Sequence, residues 1–294
     1  MTLPLTEQLH PDALHLTQGN LVSAARALAE GQIAAAAAVR DALDNIARGA
    51  EAMAATIRTD GVLHFVAAGS SGLMAAADAQ ELGGTFSIPP ARLRIHMAGG
   101  LPTGVQMPGG AEDAADGLEQ AMGQVTARDT VIAVSASGST PYTMAAAKIA
   151  RARKATVIGI ANNAGSPLLQ GADIPILLAT PPELISGSTR MGAGTAQKIA
   201  LNMLSSLMAV ELGHVHGGMM VNLRADNDKL RARATGIVAR IADVDANTAQ
   251  QALDAANGEV KPAILIAAQG LSLTQARTRL QADKGILTAI LAQN

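Results

Sequence analysis

The chain has 294 residues, a formal net charge of −2, 49% hydrophobic and 16% charged residues, a balance that fits a compact globular protein and excludes a disordered one. With no basic surplus, one Tyr, two Phe and no Trp, it offers neither the charge field nor the stacking platform of a nucleic-acid binder. The absence of Cys excludes disulfides and thiolate metal sites and fits a reducing compartment.

The start, "MTLPLTEQLHPDALHL", lacks the basic and apolar regions of a secretory signal. Charges and glycines interrupt every later run before it reaches the roughly 20 apolar residues of a membrane span. A cytoplasmic protein without a membrane partner is therefore expected. From Asn20 to Thr59, Ala, Leu, Arg and Glu dominate, and Leu21, Leu28, Val39, Leu43 and Ile46 recur at helical spacing. This predicts about two helices, with Gly31 and Gly49 as breaks.

Short apolar runs then begin at Val62, Arg92, Thr130, Ala155 and Ile174, most of them separated by segments of helical composition. Such alternation predicts a doubly wound α/β fold, a five-stranded parallel sheet covered by helices on both faces. A long helix is expected from Thr195 to about Leu212, stopped by Gly213. Beyond "RADNDKL" the texture is helical, with breaks at Gly258 and Gly270. The chain therefore reads as an α/β domain with N-terminal helices over residues 1–224 and a small helical unit over 225–294.

Three hydroxyl-rich loops follow strands. "AAGSSGLM" carries Ser70 and Ser71, "SASGSTPY" carries Ser135, Ser137, Ser139 and Thr140, and "LISGSTRM" carries Ser186, Ser188, Thr189 and Arg190. Ligands of doubly wound folds bind at the carboxyl ends of the strands, where free backbone N–H groups of helix N-termini and small hydroxyls can surround an anion. Ser and Thr are also ordinary caps and turn formers, but three such loops at matching positions point to a phosphate. Neither G-x-x-x-x-G-K-[ST] nor G-x-G-x-x-G is present, so nucleotide binding through those motifs is not supported.

"GSSGLMAAADAQELGGTFS", "SASGSTPY" and "GSTRMGAGTAQKIALNMLS", together with "TEQLHP" and "NGEVKPAILIAAQGL", resemble the signature segments of the N-acetylmuramic acid 6-phosphate etherase family of the sugar isomerase (SIS) superfamily. The resemblance implies a cofactor-free homodimer that cleaves the D-lactyl ether of a muramyl 6-phosphate. It assigns Glu81 in "DAQELGG" as the acid that protonates the departing oxygen, and Glu112 in "GGAEDA" as the base or ring-opening partner. The loop hydroxyls and Lys198 would bind the sugar phosphate. An aldose–ketose isomerase using Glu81 as base, and a non-catalytic sugar-phosphate sensor like the related glucokinase regulatory protein, remain as alternatives.

By residue type alone, Glu112 reads as a solvated residue of a helical first turn, and Glu81 as a residue at a helix C-terminus, where a negative charge gains nothing from the dipole. The chain departs from the family near the ligand. Leu73 and Ser139 stand where the family has Arg, Gly192 where it tends to have Lys, and Leu9-His10 where it has Arg-Asn. A guanidinium matches phosphate geometry as serine cannot, so phosphate or lactate recognition is expected to differ. His214 and His216 in "GHVHGG" lack a third ligand, so no metal site is expected there. His64 and His96 are expected as hydrogen-bonded core or interface residues, and the Met- and Gly-rich segment 213–221 near a twofold interface.

Overall fold

The structure, a computed structural model, describes residues 3–16, 18–107, 110–113, 115–223 and 227–292. The expected boundary between residues 224 and 225 lies outside the described residues. After two short 3₁₀ turns, α1 (Leu21–Ala37) and α2 (Leu43–Arg58) lead into β1 (Leu63–Ala67), α3 (Gly69–Phe86), β2 (Leu93–Met97) and the single turn α4 (Leu118–Ala121). Then come β3 (Thr130–Val134), α5 (Pro141–Ala152), β4 (Thr156–Ala161), α6 (Pro167–Gly171), β5 (Ile174–Leu177) and the 20-residue α7 (Gly192–Glu211). A hairpin of β6 (Val215–His216) and β7 (Met219–Met220) precedes α8 (Asp228–Ala242), α9 (Ala246–Ala255), α10 (Val260–Gln269), α11 (Leu273–Ala282) and α12 (Leu287–Leu291).

The five expected strands form one parallel sheet in the order β2-β1-β3-β4-β5. Every residue of the central strands β1 and β3 is buried, which is why they read as continuous apolar runs rather than as alternating ones. The chain divides into two compact units, one of residues 1–79 and 91–205, the other of 80–90 and 206–294. Two of the three cuts fall within α3 and α7, and the third falls in a 3₁₀ turn over Pro90–Arg92. The first unit holds the sheet. The second has its own core, where Val238, Leu253, Ile264 and Leu287 pack together.

Gly31 and Gly49 do not break helices; both lie inside them. A Cβ on Gly49 would stand 2.6 Å from Leu204 Cδ2 and 3.4 Å from Ile158 Cδ1, and one on Gly31 would stand 3.1 Å from Leu184 Cδ2. These glycines trade helix propensity for close packing. The chain instead tightens into a 3₁₀ turn over Ala38–Ala42, a stretch that contains no glycine. The Gly213 stop, the αL cap at Gly270 (φ 66°) and the turn at Gly258 agree with expectation.

The β6–β7 hairpin was not expected. Its turn residues Gly217 and Gly218 have φ 55° and 75°, the conformation that a two-residue hairpin turn requires. Met219 and Met220 pack against the core of the second unit, and Val221 is fully buried, which accounts for the apolar character of this segment. Among the described residues, no helix is long and apolar enough to cross a membrane.

Candidate active site

In the 2-1-3-4-5 strand order the chain reverses direction across the sheet between β1 and β3, the place where open α/β sheets bind ligands. Ala67 pairs with Val134, so the loops after β1 and β3 emerge side by side. The first loop is barely a loop. Ala68 alone separates β1 from α3, and Gly69, Ser70 and Ser71 form the first turn of the helix. Gly69 has φ +54°, and a Cβ built on it would lie 2.5 Å from Glu112 Oε1. The Glu112 carboxylate is thus seated against the backbone at the start of α3, where the helix dipole favours a negative charge. The apparently ordinary Glu112 and the first serine loop therefore meet.

In the second loop the hydroxyls bind one another. Ser135 Oγ lies 2.8 Å from Thr140 Oγ1 and 3.3 Å from Ser137 Oγ, and it accepts from Gly138 N at 3.0 Å. Ser139 donates to Ser137 Oγ through both its N and its Oγ, at 3.2 Å each. Thr140 is the N-cap of α5, yet its side chain does not cap the helix, and Pro141 opens the first turn. The N-terminal amides of α5 therefore remain directed at whatever sits over the loop. Gly138 makes this turn possible, with φ +70° and no space for a Cβ, which would fall 2.2 Å from Ser166 Oγ.

The third loop is joined to the second by the N-terminal segment. Ser186 Oγ donates to Glu7 O at 3.4 Å, while Thr6 N donates to Asn163 Oδ1 at 3.3 Å. Asn163 Nδ2 in turn donates to Thr6 Oγ1 at 3.0 Å and to Ser137 O at 3.3 Å. Thr6 and Asn163 are buried, so this relay is a structural tie. Ser188 and Thr189 lie half-buried ahead of α7, with Arg190 exposed beside them. Sequence reasoning quoted "TEQLHP" without giving Thr6 a task, and it missed Asn163 altogether. Its only signal was an Asn-Asn pair at the carboxyl end of β4.

Glu183 was also missed. It is buried, and its carboxylate accepts from Gly192 N and Ala193 N at 2.9 Å each, capping α7 from inside the protein. The N-terminus of α7 is therefore already satisfied, unlike that of α5. A Cβ on Gly192 would be 3.1 Å from both Ala35 Cβ and Glu183 Oε2, so this enclosed position has little space for a lysine. Of the other departures, Leu9, Leu73 and Ser139 are exposed and His10 is half-buried.

Lys198 is exposed, and its ammonium donates to Asn202 Oδ1 at 2.6 Å. Asn202 Nδ2 continues to Asp78 Oδ1 at 2.7 Å, which also accepts from Ser205 Oγ at 3.0 Å. Glu81 is exposed on α3, which runs on through Gly83 and Gly84 to Phe86, so Glu81 is not the helix C-terminal residue the glycines suggested.

His64 and His96 lie on the neighbouring strands β1 and β2 with stacked rings, Nδ1 of the first 3.0 Å from Nε2 of the second. Burial, with repulsion from His96, pushes the His64 pKa down to about 4, an effect only partly offset by Asp129. Burial and then Arg94 lower that of His96. Both imidazoles are neutral structural groups. His214 precedes the hairpin and His216 lies in its first strand, bonded to Asn222 and Thr288 respectively. Among the described residues, no three His, Asp or Glu side chains are grouped to hold a metal ion.

The SIS domain family matches residues 107–207. The N-acetylmuramic acid 6-phosphate etherase of Deinococcus radiodurans is 42% identical over 98% of this chain and 95% of its own length. The chain belongs to the N-acetylmuramic acid 6-phosphate etherase family. The etherase of Streptomyces avermitilis is 40% identical, covering 98% of this chain and 93% of that protein. A solved protein of E. coli CFT073 shares the fold with a TM-score of 0.53 at 15% identity, over 69% of this chain and 97% of that one. With the fold of the SIS superfamily and this degree of family identity, the expected fold class and family are both established.

Proposed function

We propose that this chain cleaves the D-lactyl ether of N-acetylmuramic acid 6-phosphate, releasing N-acetylglucosamine 6-phosphate and D-lactate. The observation that carries this reading, beyond family membership, is the Glu112 carboxylate seated at the first turn of α3, next to the hydroxyl loop that opens α5. The amides of α5, with Ser137, Ser139 and Thr140, hold the phosphate. Ser188 and Thr189 contribute from the third loop, and Ser70 and Ser71 from the first. Because Glu183 occupies the start of α7, the third loop acts through its hydroxyls rather than through a helix terminus.

The chemistry follows from the substrate. The open-chain aldehyde acidifies the C2 proton, and Glu112 removes it as base. Lactate leaves C3 as Glu81 protonates the ether oxygen, and water adds back at C3. Two carboxylates can divide such proton transfers between them. The exposed apolar side chains Leu9, Leu14, Leu21, Val22 and Ile33 support a homodimer, which light scattering at micromolar concentration tests.

Turnover in ¹⁸O-water is the decisive experiment. The label should enter C3 of the sugar product while the released lactate retains its ether oxygen. Glu81→Gln should stop lactate release yet leave ligand-induced stabilisation intact. Binding of the substrate by the unmodified protein without lactate release would overturn this reading in favour of a sensor, with Leu73 and Ser139 as the first suspects.

A further inference from the structure

The second unit carries an open-mouthed cavity of ≈ 400 Å³ that the proposed chemistry does not use. Its volume is within the range of small-molecule sites. Its polar wall is formed by Ser87, Asn222, Glu259, Lys261, Arg277 and Gln281. Lys261 is the unusual member. It is only 7% exposed, and its ammonium donates to Gly285 O at 2.9 Å, a carbonyl rather than a carboxylate.

Two carboxylates of the adjoining segments are already engaged. Glu259 pairs with Arg277, and Asp283 pairs with Arg279 at 3.2 Å. His214, whose segment packs on the Gly285 turn, bonds to Asn222, and Lys284 adds positive charge beside Gly285. Burial moves the pKa of Lys261 down to about 8, and among the described residues no acidic neighbour offsets it.

The backbone adds to this imbalance. Lys261 is in the first turn of α10, where the helix dipole is already positive and the leading amides have no intrahelical acceptor. Glu259, the N-cap, gives α10 no side-chain hydrogen bond. Two positive fields therefore converge on a cavity whose only lining carboxylate among the described residues, Glu259, is committed to Arg277. On the far wall, Ser87 holds a left-handed φ of 55°, and its hydroxyl donates to Asn222 O at 2.6 Å. Asn222 Nδ2 donates to Phe86 O at 3.0 Å, so this wall is preformed. A buried cation without a counter-ion is costly unless an anion joins it.

We propose that this cavity binds a small oxyanion, a carboxylate or a phosphate-like group, through Lys261, Arg277 and the first amides of α10. Sulfate and D-lactate, neither of which titrates between pH 6 and 9, serve as probes for the two sources. Calorimetry in two buffers of different ionisation heat measures the protons exchanged. Near pH 8 Lys261 is part-protonated, so a bound oxyanion should draw in up to about half a proton per site, and almost none at pH 6.5.

The uptake should vanish in Lys261→Met and persist in Ser137→Ala/Ser188→Ala, which strips hydroxyls from the loops of the first unit. Arg277→Gln, which leaves Lys261 in place, should weaken binding by about tenfold and decides the matter if the Met variant fails to fold. A response to sulfate alone identifies a phosphate-like ligand, and one to D-lactate alone a carboxylate. No uptake from either probe at up to about 10 mM, or uptake that persists in Lys261→Met, overturns the proposal.

Discussion

In a Gly69→Ala variant the new methyl carbon would stand 2.5 Å from Glu112 Oε1, on a backbone with φ +54°. Two effects follow, and they separate experimentally. The left-handed backbone costs an alanine about 1–2 kcal/mol, which lowers Tm by roughly 2–8 °C in a protein of this size. The carboxylate must also retreat by about 1 Å to reach van der Waals distance. A shift of that size in a proton-transfer group costs about 10²-fold in rate. Lactate release, followed with a coupled lactate dehydrogenase, should therefore fall about 100-fold in kcat, with a much smaller change in KM because the second and third hydroxyl loops are untouched. Gly72→Ala is the control. Its methyl would meet the flexible Met97 side chain at 2.9 Å, so it should lose stability and keep its kcat. A folded Gly69→Ala protein with the unmodified kcat would refute the placement of Glu112 in the chemistry.

The loop hydroxyls predict that a hexosamine 6-phosphate raises Tm more than the unphosphorylated sugar, and that Ser137→Ala/Ser188→Ala removes the difference; equal shifts for both sugars in the unmodified protein would count against the phosphate assignment. For His64, with a folded pKa of about 4 against 6.5 unfolded, the unfolded chain binds more protons within that window. Its contribution is complete above pH 6.5 and is lost as pH falls to 4, up to about 3 kcal/mol, so urea melts of His64→Asn should depend less on pH there; superimposable pH profiles would exclude a buried neutral imidazole. Lys261, at about 8 folded against 10.5 unfolded, destabilises the native state below pH 8, and the penalty disappears as pH rises to 10.5. Lys261→Met should therefore be more stable at pH 7 by about 2 kcal/mol, after loss of the Gly285 hydrogen bond, and this advantage should fade above pH 10. A less stable variant at pH 7 would mean that the charge is compensated.

The five strands were legible because parallel strands buried on both faces, such as Leu63–Ala67 and Thr130–Val134, are apolar at nearly every position, with His64 and Thr130 as the exceptions. The serine loops were legible because a doubly wound sheet delivers its ligand loops at one edge, and the family signature was local in the chain. Gly31 and Gly49 misled, since a glycine chosen for close packing looks the same in sequence as one that ends a helix. The hairpin at Gly217–Gly218 escaped because two residues per strand are too few for a periodic pattern.

Composition, the set of sheet strands and the family signature were thus determined by the sequence alone, because each depends on residue type and near-neighbour spacing. Tertiary structure alone decided that Glu112 rests against Gly69, 43 residues earlier by their numbers. It likewise decided that Thr6 reaches Asn163 across 157 residues, that Glu183 rather than a ligand caps α7, and that Lys261 is buried with its ammonium on a backbone carbonyl. The reason is physical. A carboxylate, amide or ammonium takes its chemical character from burial and from whichever group ends up within about 3 Å, and only the folded chain sets those distances.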